Sequence, residues 1–529
     1  MGWGMDGLGD GVVDRSVDVV VVGAGVAGLT AAALLAKEGL TVELLEAHRQ
    51  SGGCAGTFRR GPYTFDVGAT QVAGLEAGGI HSRLFAHLGV SAPPASALDP
   101  GCVVDLGDGL PPISLWRDPH RWQVERTQHF PGSERFWQLC SAIHQANWAF
   151  AAKDPVLPPR SAWDLGQLLG ALGLGTIASG LLTGATIANL LHLCGCGGDL
   201  RLRHFLDLQL KLYSQEPADR TAALYGATVL AMAQAPLGLF HLQGSMQVLC
   251  HQLELALAQA QGNLRLRHRV DRITPIEPQV TGCRWRVRGT ANPQAPQGEP
   301  FALSCRDLVL AVPPQAMPAL LGETLPQAYR QRLDGLHEPS GALVFYGALD
   351  RTALPEGCAS HLQRDWEGPG SLFVSISQEG DGRAPAGQAT VIASVFTAAR
   401  PWFGLDDATY TARKIAAQRD IQRGLQALLG IPEAAWCHKE LATPRGFAGW
   451  TGRPWGYVGG LGQHPSRFGP FGLASRAPLQ GLWLCGDAIY PGEGTAGVSL
   501  SALMAARQLL ASRGRPLTIA AGKEPKGLG

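Results

Sequence analysis

The sequence predicts an α/β chain, α+β over its whole length, in three parts: a Rossmann-type dinucleotide-binding domain, an antiparallel-sheet domain and a helical region poor in charge. Three observations carry this. Residues 17–46 read strand, glycine turn, helix, strand, acid. Residues 482–510 read strand, glycines, helix. Between them, alternating apolar runs at 342–349, 371–377 and 390–397 precede one long helical pattern at 406–429. Strands followed by a helix mark a sheet with one covered face. The Rossmann-type domain is expected at 17–105, 236–320 and 476–512, a helical substrate or membrane-contact region at 106–235, and the sheet domain at 321–475. Residues 1–16 and 513–529 read as tails, the second loose and basic.

In the first stretch a β-branched run, 17–22, makes a buried strand. The Gly23-Ala-Gly25-Val-Ala-Gly28 turn leads into a helix at 29–37, which Gly39 stops. A second strand, 41–45, ends at Glu46. Gly23 allows the tight turn, Gly25 lets the backbone approach a pyrophosphate, and Gly28 lets helix and strand pack closely. Phosphates are held by free N–H groups at the helix N-terminus, where the dipole favours negative charge. Glu46 lies about 20 residues on, where a carboxylate accepts ribose hydroxyls.

The 529 residues suffice for two or three domains. A hydrophobic content of 45% with 16% charged residues indicates a large core. The net charge of +1 gives no electrostatic case for nucleic acid or an acidic partner. Eleven cysteines without a CxxC pair read as reduced structural thiols, and no metal set is expected. The first residues, three acids before the first Arg and no apolar core, do not read as a signal peptide, and Met5 is an alternative start.

Along the chain, Gly52 and Gly53 let the backbone pass close to a ligand, and 65–68 reads as a short strand ending at such an approach. The tryptophans between 116 and 163 have no basic stripe beside them, so they belong to a core or interface. Residues 165–198 contain no Asp, Glu, Lys or Arg. Leu165, Leu168, Leu169 and Leu172 form a helical stripe. Recurrent glycines argue against one spanning helix. Two short helices that line an apolar tunnel or dip into one leaflet are expected, with a buried helical hairpin as the alternative. A helix at 246–259, a strand at 264–273, a pairing strand at 284–288 and a buried strand at 307–314 return the chain to the first domain. After the strand 482–485 come Gly486-Asp487, Pro491-Gly-Glu-Gly494 and Gly497-Val498, then a helix at 499–510. Asp487 suits ribityl or ribose hydroxyls, and the helix N-terminus from Gly497 suits developing negative charge.

No nucleophile–base elbow and no metal motif appear, so a cofactor must carry the chemistry. Two glycine-lined helix N-termini suit a long cofactor, FAD, and no second full GxGxxG indicates a separate NAD(P)H domain. These motifs, with Phe65-Asp-Val-Gly68 and Ala311-Val-Pro-Pro314, resemble the FAD-dependent phytoene desaturase-like carotenoid enzymes along nearly the whole chain. Within that family the stretches 64–74, 205–214 and 238–247 look most similar to the cyanobacterial carotenoid 3,4-desaturases of myxoxanthophyll synthesis. Carotenoid cis–trans isomerases share most of the same motifs. Gly244-Ser245 departs from the glycine pair the family often shows there.

The resemblance implies FAD contacts at Gly23, Gly25, Gly28, Glu46, Gly53, Val270 (through its backbone), Gly486, Asp487, Gly497 and Val498. It implies an apolar carotenoid substrate, monotopic association with the cytoplasmic side of a membrane (thylakoid or plasma membrane in a cyanobacterium), and a quinone or oxygen as electron acceptor. The expected reaction is desaturation: hydride to the flavin, then proton loss from a polyene-stabilised cation. An isomerase using reduced FAD, an amine-oxidase-like enzyme with a polar substrate, and a non-enzymatic binder are the alternatives. His81, His192, His204 and His241 are expected to be structural, and Arg445 and Trp450 to line the tunnel near the flavin.

Overall fold

The computed structural model describes residues 15–277, 282–295, 298–366 and 370–520. Its first sheet has seven strands. Arg15–Val22 lies at the centre, parallel to Val42–Leu45 on one side and to Glu299–Leu310 on the other. Asn263–Arg265 extends the sheet beyond Val42–Leu45, and Leu482–Leu484 pairs parallel with Glu299–Leu310. His268–Pro275 and Trp285–Ala291 complete it as antiparallel strands. The helices Val26–Lys37, Gln247–Gln259 and Gly494–Ser512 contribute to one apolar core with this sheet. Val19, Val21, Leu29, Leu34 and Leu44 are fully buried there. A continuously apolar strand is what a sheet covered on both faces requires.

The second sheet also has seven strands. Gly341–Asp350, Gln388–Thr397, Ser371–Ile376 and His361–Asp365 are antiparallel neighbours, with Trp436–Ala442 at one edge. Val103–Asp105, read from sequence as part of the first domain, instead pairs with His361–Asp365. The helix Asp407–Leu429 covers one face through Ile421, Leu425 and Leu429. Asp406 caps this helix by accepting from the Thr409 N–H at 2.9 Å.

Several elements differ from expectation. The expected strand at 264–273 is two strands, because Arg267 sits at φ 58 between them. The strand expected at 307–314 runs over Glu299–Leu310 and stops before Ala311. The last long helix starts at Gly494, not at 499, so Gly497 lies within it. Residues 165–198 hold most of one helix and all of two others: Ala162–Ala171, Leu174–Gly180 and Ile187–Leu193. Among the described residues no helix is long and apolar enough to cross a membrane.

The start of the expected C-terminal tail is packed. Arg513 bonds Asp18 at 2.8 Å and Asp307 at 2.6 Å, and Leu517 and Ile519 are buried. Arg15 and Ser16, assigned to the N-terminal tail, belong to the first strand. The expectations for residues 1–14 and 521–529 lie outside the described residues.

Candidate active site

The turn after the first strand builds one end of the site. Gly23 adopts φ 96, and a side chain there would meet the Ala311 carbonyl at 2.9 Å. A Cβ on Gly25 would meet nothing within 4 Å. It faces open cavity, which is the room a pyrophosphate needs against the N-terminus of Val26–Lys37. Gly28 is different: its Cβ would stand 1.8 Å from the Gly23 carbonyl oxygen. It packs helix against strand and is not among the residues that line the cavity.

Glu46 ends the second strand. Its carboxylate accepts from the Ala24 N–H at 2.7 Å and the His48 N–H at 2.8 Å. Burial raises its pKa against these two bonds. Gly52 and Gly53, both at positive φ, carry the next loop past Gly25. Trp450 donates to the Gly53 carbonyl at 3.2 Å and packs on the His48 ring at 4.3 Å.

The cavity measures about 1270 Å³. That is above the roughly 300–1,000 Å³ of ordinary ligand pockets and leaves room for a cofactor and a second molecule. Gly23, Gly25, Glu46, Gly53, Val270, Gly486, Asp487, Gly497 and Val498 all line it. Residues near the two ends of the described chain thus meet in one space. A Cβ on Gly486 would meet nothing, whereas one on Gly497 would meet the Gly492 carbonyl at 2.5 Å, repeating the Gly28–Gly23 relation.

Asp487 forms an ion pair with Arg453, whose guanidinium also donates to the Gly459 carbonyl at 2.9 Å. Arg453 and the neighbouring Glu493 were not foreseen. A charged residue inside an uninterrupted cavity is visible only once 453 and 487 are brought together. The flanking positive-φ residues Gly492 and Gly494 were the available sign at Glu493. Trp450 lines the cavity as expected. Arg445 does not: it donates to the Leu405 carbonyl at 2.7 Å and lies over Tyr410.

The far end of the cavity is walled by the helical region. Leu168, Leu172, Leu224 and Met232 face it, joined by Phe373 of the second sheet and by Phe468. Residues 147–239 contribute no charged side chain to the lining. The second sheet adds Ala342, Val344 and Ser394. Gly244 and Ser245 do not reach the cavity; the Gly244 N–H bonds the Asp381 carbonyl at 2.7 Å.

Of the histidines read as structural, His81, His204 and His241 have side-chain partners. His81 donates through Nδ1 to the Ala73 carbonyl at 2.9 Å and accepts at Nε2 from Ser499 at 3.1 Å. Burial lowers its pKa to about 4, so it is neutral. His241 lies 2.8 Å from the Asp381 carboxylate, and His204 lies 3.5 Å from that of Asp365. His192 fills the space over Gly197. Among the described residues no group of His, Cys, Asp and Glu could hold a metal ion.

A glycine cradle at a helix N-terminus, an acid on the second strand and a second glycine-lined helix start define an FAD-dependent oxidoreductase of Rossmann type. The chain belongs to the flavin-containing amine oxidoreductase family, whose model matches residues 147–510. A model described as an NAD(P)-binding Rossmann-like domain matches residues 21–88. FAD is the cofactor, and the open space at Gly25 and Gly486 fits it.

Among curated relatives, the chloroplastic prolycopene isomerase of Daucus carota is 24% identical over 527 residues, 94% of this chain and 81% of its own. The all-trans-retinol 13,14-reductase of Rattus norvegicus is 27% identical over 252 residues, 46% of this chain and 40% of its own. Among solved structures, putrescine oxidase bound to putrescine superposes with a TM-score of 0.61 at 16% identity, covering 95% of this chain and 100% of that one. That last likeness is one of fold.

Proposed function

We propose that this protein acts on the double bonds of a long apolar polyene, a carotenoid, and that its reaction is cis–trans isomerisation. The observation that carries the reading is one continuous cavity that runs from the Gly25 cradle to an uncharged wall at 147–239. A polyene has no group for ions to grip, so shape and desolvation must recognise it. Prolycopene isomerases that align with 94% of the chain support isomerisation over other polyene chemistry. An amine substrate fits less well, since no carboxylate from 147–239 meets the cavity.

Gly23, Gly25, Gly53 and the Val26–Lys37 N-terminus would hold the pyrophosphate, and Glu46 the ribose. Val270, Gly486, Asp487 and Val498 would border the rest of the cofactor. FAD, when bound, supplies the reversible two-electron chemistry or, reduced, an electron-rich ring beside the polyene. The side chains of 168–239 align the polyene and exclude water.

Desaturation at the 3,4 position of an acyclic-end carotenoid, as in myxoxanthophyll synthesis, is the second reading. The stretches 64–74, 205–214 and 238–247 favour it. It would need an electron acceptor such as a quinone or oxygen. Anaerobic incubation with a carotenoid separates the two. Isomerised product of unchanged mass, formed only with pre-reduced flavin, supports isomerisation. Flavin bleaching with loss of two hydrogens supports desaturation. No conversion of any polyene would sink both.

We also propose that the protein docks on the cytoplasmic face of a membrane through residues 162–200. The Leu174–Gly180 helix and the turn after it present Thr176, Ser179 and Thr183 to the cavity. Outward they present Leu174, 89% exposed, Ile177, and Leu181, 88% exposed. Leu165, Leu169 and Leu193 add to this outer face. Hydroxyls inside and leucines outside reverse the pattern of a water-facing wall.

A further inference from the structure

Glu493 stands between the two halves of the cavity. It is the N-cap residue of Gly494–Ser512, yet its side chain makes no cap bond. It turns back instead. Gln215, at φ 58 just beyond the Leu200–Ser214 helix, donates through Nε2 to Glu493 Oε1 at 2.7 Å. The carboxyl also takes a bond from the Gly460 backbone. The loop at Gly459 is moulded around the pair: a Cβ there would lie 2.0 Å from Gln215 Nε2 and 2.6 Å from Glu493 Oε2. The Gln215 amide is itself fixed, because its oxygen accepts from the Ser340 N–H at 3.0 Å.

The charged and titratable groups facing Glu493 come from both sides. Arg453 and Asp487 face it from the cofactor side, paired with each other. Cys54 stands beside that pair. From the tunnel side come Tyr225 and, behind it, Tyr213. With the exception of Gln215, these residues and Glu493 line the cavity.

We infer that Glu493 is the proton donor of the reaction, and the assignment rests on the polyene reading above. The step needs no oxidant. The carboxyl O–H bond breaks, and a C–H bond forms at an sp² carbon of the polyene with a π electron pair. The resulting cation is delocalised, so formal double bonds lose order and rotate. The carboxylate then takes back a proton from that carbon, and the π pair is restored. No electrons enter or leave, and the product has the mass of the substrate.

The environment keeps the acid loaded. Burial and the Asp487 charge raise the Glu493 pKa to about 8, against the Gln215 bond, the Gly460 bond and Arg453. The group therefore carries its proton at neutral pH and loses it as the pH rises through that value. A carboxyl kept neutral by its surroundings can serve a site as its acid.

The test uses FAD-loaded, pre-reduced wild type and Glu493→Gln with a cis-carotenoid. Gln fills the same space and accepts the Gln215 bond but has no proton to give. The expected results are a loss of about a hundredfold or more in rate, FAD content unchanged, and a melting temperature no lower than wild type. Wild-type rate should fall as pH rises through about 8. Product formed in D2O should carry deuterium at carbon. The infrared C=O band of a protonated carboxyl, present in wild type at pH 7, should vanish at higher pH and be missing in Glu493→Gln. Glu493→Gln turnover equal to wild type, or product free of deuterium, would overturn the assignment and leave the substrate reading standing. A wild type that converts no polyene would remove both. A rate that rises through pH 8 with loss of two hydrogens would make Glu493 a base and the enzyme a desaturase, which also overturns the assignment.

Discussion

Arg383 donates through Nε and Nη2 to a single carboxylate oxygen of Asp66, at 3.2 and 3.0 Å, across 317 residues of sequence. Both side chains are at most 3% exposed. The other Asp66 oxygen accepts from the Met246 N–H at 2.7 Å and from Thr57 at 3.0 Å. Arg383 also donates to Asp381 and to the Leu242 carbonyl. This knot ties the second sheet to the hairpin Thr57–Arg60 and Tyr63–Asp66 and to the start of Gln247–Gln259.

Removing one partner of such a buried pair leaves the other uncompensated. Arg383→Met should lower stability by about 3–5 kcal/mol in denaturant titration. Asp66→Asn should cost nearly as much. Wild-type stability in both variants would show that the knot is replaceable.

Gly25 and Gly28 should separate binding from folding. Gly25→Val places its side chain in open cavity, at a φ of −68 that valine adopts. The FAD-free protein should melt as wild type does, while FAD affinity falls at least tenfold. Gly28→Ala meets the Gly23 carbonyl and should lower the melting temperature even without FAD. Fluorescence titration with FAD and calorimetry on the same samples check both.

The outer leucines should govern lipid binding. Leu174→Glu with Leu181→Glu should abolish co-sedimentation with lipid vesicles and leave FAD content intact. Each Leu to Glu change removes apolar surface and adds a charge at the water–lipid boundary. Undiminished sedimentation of the double variant would disprove the membrane proposal.

Acid should unfold the protein from pH 6.5 downward. Burial lowers His81 and His144 to about 4 and His361 to about 3. Their unfolded pKa is near 6.5, so below it the unfolded chain binds protons that the folded one refuses. Stability is full above 6.5 and falls as pH drops toward 4. Each group contributes on the order of 3 kcal/mol over its whole range. Melting temperatures across pH 7 to 4 check the slope, and His81→Gln should flatten it.

The first strand, its helix and Glu46 were legible because each residue type there meets a local demand: β-branched run, positive-φ glycine, helix start, strand end. Residues 482–498 were legible as strand and glycines for the same reason. The helix start was not, since Gly494-Thr-Ala-Gly497 has poor helix propensity and is helical only through packing. Arg513 looked solvated because its partners, Asp18 and Asp307, lie 495 and 206 residues away. The break at Arg267 was hidden because Leu264, Leu266 and Val270 keep a period of two across it. The FAD family was readable in the motifs. The setting of Glu493 was not, because Gln215 and the Gly459 loop that enclose it come from distant parts of the chain.

The strand Glu299–Leu310 is bordered by Arg15–Val22 and by Leu482–Leu484. During synthesis the first neighbour waits nearly 300 residues for its partner, and the partner waits again for the last. Parallel pairing of this kind forms slowly and leaves strand edges open meanwhile. The nascent chain therefore spends most of its time on the ribosome with an incomplete nucleotide domain. Truncation before residue 484 should yield aggregates, and chaperone dependence during translation should exceed that of a chain whose domains are each continuous.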